Sequence, residues 1–508
     1  MVNKNLTPYI ILFVLCLPLF FINIRNSHDW GDDFAQFIYQ AKNLAQGNPQ
    51  SEPCYLDENT NLSNPIYIGF SLILAPVYYF YGNNILAFSI LITSILFILC
   101  FALFAFYKKY FTNLISILLV LIFAYNPYTL NFKMEIMTDI PFALMMMLIL
   151  LVYYRINKGK YFNYFLLGIL TGFLVSIRTV GVSIALAIIL DRFIATIKLI
   201  RNNFNNKDYV TKENFKSVVQ VIIFIIVSFG FYFLLNVVIF KINASSIVRI
   251  SHVLNIKNII TMFFENIRFN ITCFRNFFMS GVTVFPGLSI ITQCLFIIFI
   301  LIGFITKCFK RIELPELIVL CYLFIILLYP NKTLIIGMRY LFVIFPFLLF
   351  YVARGLELIK PRIKFNKNIA VLLLGLFVLI PYSFSISNIV KHQNEILKGP
   401  QEPESIETFN YIKKNTPPNA VFAFIRARII KLYADRTGVY SWYWYEKDEN
   451  VEQLNDRFMR MNVNYLLFNS DLKDSALERY IQKYPDNIQL IWQNAKFRMY
   501  SLKSNRLK

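Results

Sequence analysis

Residues 31–47 read Gly-Asp-Asp-Phe-Ala-Gln-Phe-Ile-Tyr-Gln-Ala-Lys-Asn-Leu-Ala-Gln-Gly. They follow an apolar run, Tyr9 to Ile24, after only a few residues. Acidic side chains at a bilayer boundary are costly and tend to be kept for a task. From Asp33 onward, Phe34, Phe37, Ile38, Ala41 and Leu44 recur at helical spacing, with Gln36, Gln40 and Asn43 facing away. The spacing predicts an amphipathic helix lying in the membrane interface, its N-terminus at Asp33. An Asp in that place also reads as a plain N-cap. Two consecutive Asp, Asp32 and Asp33, exceed what a cap needs, and the pair marks a catalytic site at the outer membrane surface.

The rest of the chain sets that helix in a membrane protein. Of 508 residues, 57% are hydrophobic, above the roughly 45–50% of a soluble domain. Apolar runs near the ~20 residues that span a bilayer recur from Tyr9 to about Phe384. The net charge of +21 does not indicate nucleic acid, because much of it lies in short loops between spans. Those loops are Tyr107-Lys-Lys-Tyr, Arg155 to Lys160, Arg201 to Lys216, Lys307 to Arg311 and Arg354 to Lys367, and the positive-inside rule makes them cytoplasmic. The intervening hairpins then turn outside, near Glu135, Arg178, the Lys241–Ser280 region and Lys332. The segment from Pro65 through Tyr81 is short, opens with Pro and, counted as a span, would put Lys108 and Lys109 outside. It reads as a juxtamembrane or re-entrant helix. The fold class is thus a polytopic α-helical membrane protein of about eleven spans, with an uncleaved first span and a cytoplasmic N-terminus.

After about Ile389 the composition turns polar. The expected division is a membrane domain over 1–389 and a small extracytoplasmic α/β domain over 390–508. Pro403 onward reads as a helix with Ile406, Phe409 and Ile412 on one face. Asn415-Thr-Pro-Pro-Asn breaks it. Val421-Phe-Ala-Phe-Ile, Tyr465-Leu-Leu-Phe-Asn and Phe497-Arg-Met-Tyr-Ser-Leu read as strands. The 7 cysteines contain no CxxC pair and the 3 histidines no zinc-ligand spacing. Cys54 and Cys273 fall in loops placed outside, but two lone cysteines give little ground for a disulfide.

Three further features fall on the outer side. Met134-Glu-Ile-Met-Thr-Asp139-Ile-Pro reads as a helix start, with Thr138 or Asp139 as cap and Pro141 in the first turn. Glu135 lies four residues before Asp139 and shares its face if the turn is helical. Arg178, Lys332 and Arg339 are outward cations that run against the charge bias of the chain. Arg suits phosphate because its fork donates two hydrogen bonds at once; the plainer reading is snorkelling to lipid headgroups. Residues 241–280 are too long for a simple turn and read as interfacial helices or a passive loop. Carboxylates and cations together point to chemistry on a phosphate-bearing lipid. A carboxylate can take a proton from an acceptor hydroxyl, and cations can stabilise a departing phosphate. No glycine-rich phosphate loop supports a nucleotide-driven reaction.

The order of these motifs resembles the GT-C superfamily of integral-membrane glycosyltransferases, and within it the branch of protein O-mannosyltransferases and lipid A aminoarabinose transferases. The matching residues are Asp32-Asp33 with Ala41, Leu44 and Gly47, then Asn64-Pro65, then Met137-Thr-Asp139-Ile-Pro, then Arg339-Tyr340-Leu-Phe. The resemblance implies an inverting transfer from a polyprenyl-phosphate-linked sugar to a glycan, lipid or protein acceptor at the outer face of the cytoplasmic membrane. It implies a base in the first loop, Asp33 by one alignment and Asp32 by another, where the family often has Asp-Glu. Read together with the carboxylates and cations above, the expected roles are acceptor or metal support at Asp139 and Glu135, and donor-phosphate binding at Arg178, Lys332, Arg339 and Tyr340. Divalent-metal use is left open. The rival readings are a polymerase or ligase using a lipid-pyrophosphate glycan, and a transporter or flippase. The last predicts ionisable residues at mid-span, which most spans here lack.

Overall fold

The computed structural model describes residues 6–50, 52, 54–56, 68–156, 160–202, 207–240, 256–278, 286–328, 334–358, 367–441 and 450–503. Lys332, Pro65 and Lys241 lie outside the described residues. The chain divides into two compact units: Met1–Ile24, Ser89–Ile239 and Ser246–Gln393 form the first, and Arg25–Phe88, Phe240–Ser245 and Asn394–Lys508 the second.

The first unit is helical. Among the described residues, five helical segments are long and apolar enough to cross a membrane: Ile85–Tyr107 (its first turn belonging to the second unit), Thr179–Arg201, Asn214–Ile239, Ile290–Lys310 and Gly337–Leu358. Shorter apolar helices in the same unit are Thr7–Phe20, Asn113–Ala124, Tyr161–Ile177 and Leu314–Leu327. Asp139–Arg155 and Lys367–His392 complete the places where spans were expected. The count of eleven therefore stays an expectation, because fewer helices meet the length that a bilayer demands. Large apolar side chains such as Ile226 and Phe229 stay exposed along these helices, as lipid-facing groups do. Two of the long helices cross closely. At Gly303 a Cβ would run into the Tyr351 carbonyl, and at Gly355 into the Phe299 carbonyl. Only glycine lets the backbones of Pro286–Lys310 and Leu334–Leu358 approach that far. The region from 241 to 280 is more than a passive turn: Ile256–Asn276 is a helix, Cys273 and Phe274 are buried, and Asn266 Nδ2 donates to the Leu327 carbonyl at 2.8 Å.

The second unit joins the first loop to the tail. Its six-stranded sheet has the order β1-β3-β2-β4-β6-β5, with β1 Tyr55–Leu56, β2 Val421–Ala423, β3 Thr437–Val439, β4 Tyr465–Asn469, β5 Ile488–Gln493 and β6 Phe497–Leu502. The first four in that order are parallel and the last two antiparallel to their neighbours. The three strands expected in the tail are present, and so is the helix Pro403–Asn415, although Ile406 is exposed while Phe409 and Ile412 are buried. β1 comes from the first loop and pairs with β3 in the register Tyr55–Gly438. The α/β tail therefore shares its unit with Arg25–Phe88, where the sequence reading had divided the chain near 390. Further bonds fix the seam. The His28 backbone N–H donates to Gln401 Oε1 at 2.8 Å and the Leu397 N–H to Ser27 Oγ at 3.0 Å. Trp30 packs edge-on against Phe424 and Phe497.

The helix Asp33–Gln46 forms as expected and ends at Gly47, whose φ of 72° gives the left-handed C-cap. Its surroundings differ from the expectation. Gln36, Gln40 and Asn43, predicted to face away, are buried. The helix packs against Ile68–Tyr81 and against Ala427–Ala434. Gln40 Oε1 accepts from Ser71 Oγ at 2.9 Å, and the Gln40 carbonyl accepts from Gln50 at 3.3 Å. Gln40 of the polar stripe is thus met by protein partners rather than by water.

Candidate active site: two acid–guanidinium clusters

The first cluster lies in the second unit. Asp32 stands at the N-cap position of Asp33–Gln46, but its side chain makes no cap hydrogen bond. The capping explanation for the acidic pair therefore fails. Tyr440, just after β3, donates its hydroxyl to Asp32 Oδ2. Arg428, in the first turn of Ala427–Ala434, donates Nη1 to Asp33 Oδ1 and places Nε 3.6 Å from Asp32 Oδ2. The Asp32 side chain is 9% exposed and that of Asp33 is 40%, so the two carboxylates differ in their access to water. Asp32 Oδ1 is buried with no hydrogen-bond partner. A buried, unmade hydrogen bond of this kind is expensive and calls for an explanation. Burial pushes the Asp32 carboxyl above its ordinary value, against the opposing pull of Arg428 and the Tyr440 hydroxyl. The Arg428 guanidinium also lies 5.1 Å from the Tyr55 ring centroid.

The second cluster lies in the first unit. Asp139 opens the helix Asp139–Arg155, again without capping: Thr138 at the N-cap makes no side-chain cap bond. Instead Asp139 Oδ1 accepts from Arg178 Nη1 at 2.5 Å and Oδ2 from Arg339 Nε at 3.1 Å. Asp139 is 3% exposed and Arg178 7%. Arg178 follows the last residue of Tyr161–Ile177, and Arg339 lies near the start of Leu334–Leu358. The guanidinium of Arg178 stacks 4.9 Å from the ring of Tyr340, whose carbonyl accepts from the Tyr322 hydroxyl at 3.0 Å. Glu135 does not share a helical face with Asp139. It lies in a bend before Ile136, whose φ is 47°. A β-branched residue in the left-handed region is strained, and such strain gathers at functional sites.

Of the expected site residues, the structure thus brings Asp32 and Asp33 together in one unit, and Asp139, Arg178, Arg339 and Tyr340 in the other. It adds Arg428 and Tyr440, which the sequence reading missed. A cationic pair, Arg426 and Arg428, just after a buried strand was the available signal. As for a divalent ion, both Asp139 oxygens already face guanidiniums, and Arg428 sits against both Asp32 and Asp33. Cys54 Sγ donates to the Arg428 carbonyl at 3.7 Å.

No family model matches the chain, and no curated protein matches it. Solved structures do. ArnT from Cupriavidus metallidurans bound to undecaprenyl phosphate aligns with a TM-score of 0.57 at 10% identity, over 97% of this chain and 98% of that one. The same protein in its apo state gives 0.58 at 10% identity, over 99% of each chain. The oligosaccharyltransferase AglB from Archaeoglobus fulgidus, in complex with an inhibitory peptide and a dolichol-phosphate, gives 0.56 at 13% identity, over 91% of this chain and 69% of that one. Likeness at this identity is a likeness of fold: the chain shares the fold of these proteins.

Proposed function

We propose that this protein is an inverting glycosyltransferase that moves a sugar from a polyprenyl-phosphate carrier to an acceptor at the outer face of the cytoplasmic membrane. The observation that carries the reading is the composition of the two clusters within a fold shared, end to end, with a structure holding undecaprenyl phosphate. A single-displacement transfer needs a base for the acceptor and a cationic clamp for the departing phosphate. The second unit has two carboxylates on one guanidinium. The first has two guanidiniums on one carboxylate.

The roles follow from the chemistry. The Asp32–Asp33 pair takes the proton of the acceptor hydroxyl as its oxygen attacks the anomeric carbon. The bond from that carbon to the phosphate oxygen breaks on the opposite side, so the anomeric configuration inverts. Arg178 and Arg339 neutralise the charge that gathers on the phosphate, with Tyr340 under Arg178. Asp139 holds the two guanidiniums apart and in place. Lys332 is a further cation for this role on sequence grounds.

Mass spectrometry of envelope glycans and lipid-linked sugars tests the reading in a strain lacking the chain and in its wild-type complement. Loss of one sugar from an acceptor, with its lipid-linked form accumulating, is the expected result of deletion. An unchanged glycan and lipid-linked pool overturns it. The AglB likeness favours a second reading, transfer of a longer lipid-linked glycan; the size of the missing unit separates the two.

A further inference from the structure

The acidic pair of the first loop is gripped by side chains from the far end of the sequence. Arg428 and Tyr440 lie about four hundred positions after Asp32 and Asp33, yet both touch them within the second unit. We propose that Arg428 and Tyr440 are positioning residues that divide the work of the pair. Arg428 holds Asp33 as a fixed counter-charge. Tyr440 orients Asp32 through Oδ2. Asp32 Oδ1 is thereby left as the oxygen that receives the acceptor's proton. The inference rests on the transferase reading and deepens it by choosing the base and naming what aims it.

The geometry supports this in three ways. First, the grip is itself held firmly. β1 and β3 pair in parallel, the Tyr55 and Tyr440 rings meet edge-on at 5.0 Å, and the Tyr440 carbonyl accepts from buried Arg457 at 2.6 Å. Positioning to within about half an ångström needs such support around the acting group. Second, the contacts are unequal. Asp33 takes the direct Nη1 bond, whereas Asp32 meets Nε only at 3.6 Å. Third, Asp32 Oδ1 alone of the four carboxylate oxygens is buried without a hydrogen-bond partner. The groups facing Asp32 are Arg428, Arg426, Asp33 and Tyr440. The proton moves from the acceptor hydroxyl to Oδ1, the acceptor oxygen bonds to the anomeric carbon, and the electron pair of the broken bond leaves on the phosphate.

The test uses the full-length chain in membranes of the deletion strain. The variants are Arg428→Ala, Arg428→Lys, Tyr440→Phe, Asp32→Asn, Asp33→Asn, and Asp32→Asn combined with Arg428→Ala. Two quantities are read: the rate at which the missing glycan reappears after induction, and the thermal shift produced by undecaprenyl phosphate on the purified protein. Loss of a well-placed base costs about 10²–10⁴-fold. Arg428→Ala is expected to slow transfer by about 10²-fold and Tyr440→Phe by about tenfold, both with the undecaprenyl phosphate shift retained. Arg428→Lys restores part of the rate, because an ion pair to Asp33 returns. The double variant is no slower than Asp32→Asn alone, since groups that act as a unit are not additive. Wild-type rates for Arg428→Ala or Tyr440→Phe overturn the inference. So does a double variant that loses the product of the two single effects, or Asp33→Asn costing more than Asp32→Asn. If Arg428→Ala does not fold, Tyr440→Phe and Arg428→Lys still decide. A wild-type complement that restores no glycan is a separate outcome, and it removes the transferase reading together with this one.

Discussion

The two clusters are opposites built from the same parts. Around Arg428, one guanidinium serves two carboxylates, and one carboxylate oxygen is left over. Around Asp139, one carboxylate serves two guanidiniums, and both of its oxygens are used. Counting these contacts alone, carboxylates outnumber the guanidinium around Arg428 and guanidiniums outnumber the carboxylate around Asp139. A carboxylate in surplus is disposed to accept a proton, and a guanidinium in surplus to hold an anion. The lesson is that an acidic residue in a motif need not act as an acid or base. In the proposed reading Asp139 acts as a spacer between cations, since each of its two oxygens meets a different guanidinium.

The largest effect expected from breaking this contrast is at Asp32. Asp32→Asn should lower glycan transfer by about 10²–10⁴-fold, read by mass spectrometry, while Asp139→Asn should act chiefly through phosphate binding. Equal kinetic signatures for the two would erase the distinction. Next comes the clamp. Arg339→Ala removes a charged hydrogen-bond donor, which contributes about 1.5–3 kcal/mol, so undecaprenyl phosphate should bind about tenfold or more weakly by titration calorimetry. Unchanged binding would take Arg339 out of the clamp. A structural control follows. Gly355→Ala forces a methyl into the Phe299 carbonyl, and overpacking costs about 1–3 kcal/mol. The melting temperature should fall while the base cluster, in the other unit, keeps its pH profile.

The smallest effect concerns pH. Burial raises the Asp32 carboxyl above its ordinary value, so the folded state binds that proton more tightly than the unfolded chain does. As pH rises through the raised value, Asp32 ionises and its folded-state advantage is lost. Transfer should therefore fade on acidification above the usual carboxylate range, as the base protonates. Asp32→Asn should raise the melting temperature at neutral pH and lose that gain in acid. A variant that is no more stable at neutral pH would mean that Asp32 is not held against its preference.

Much of this was legible in the chain. The helix from Asp33 to Gln46, its stop at Gly47, the start at Asp139 and the strands at Val421, Tyr465 and Phe497 all follow from spacing and local chemistry, which act within a few residues. What the sequence hid was long-range. A two-residue strand, Tyr55–Leu56, carries no periodicity to read, yet it ties the first loop to the tail. The stripe of Gln36, Gln40 and Asn43 looked like a water-facing surface because composition does not say whether a polar face meets solvent or a partner such as Ser71.

The sequence by itself determined that this is a helical membrane protein with a polar α/β tail, because apolar run length and charge bias act locally and add along the chain. It also marked Asp32, Asp33, Asp139, Arg178 and Arg339 as residues out of place. Only the tertiary structure decided their partners. An ion pair depends on distance in space rather than on position in sequence, and Arg428 meets Asp33 across 395 positions. That pairing leaves Asp32 Oδ1 without a hydrogen-bond partner in one unit, while in the other Arg178 and Arg339 converge on Asp139.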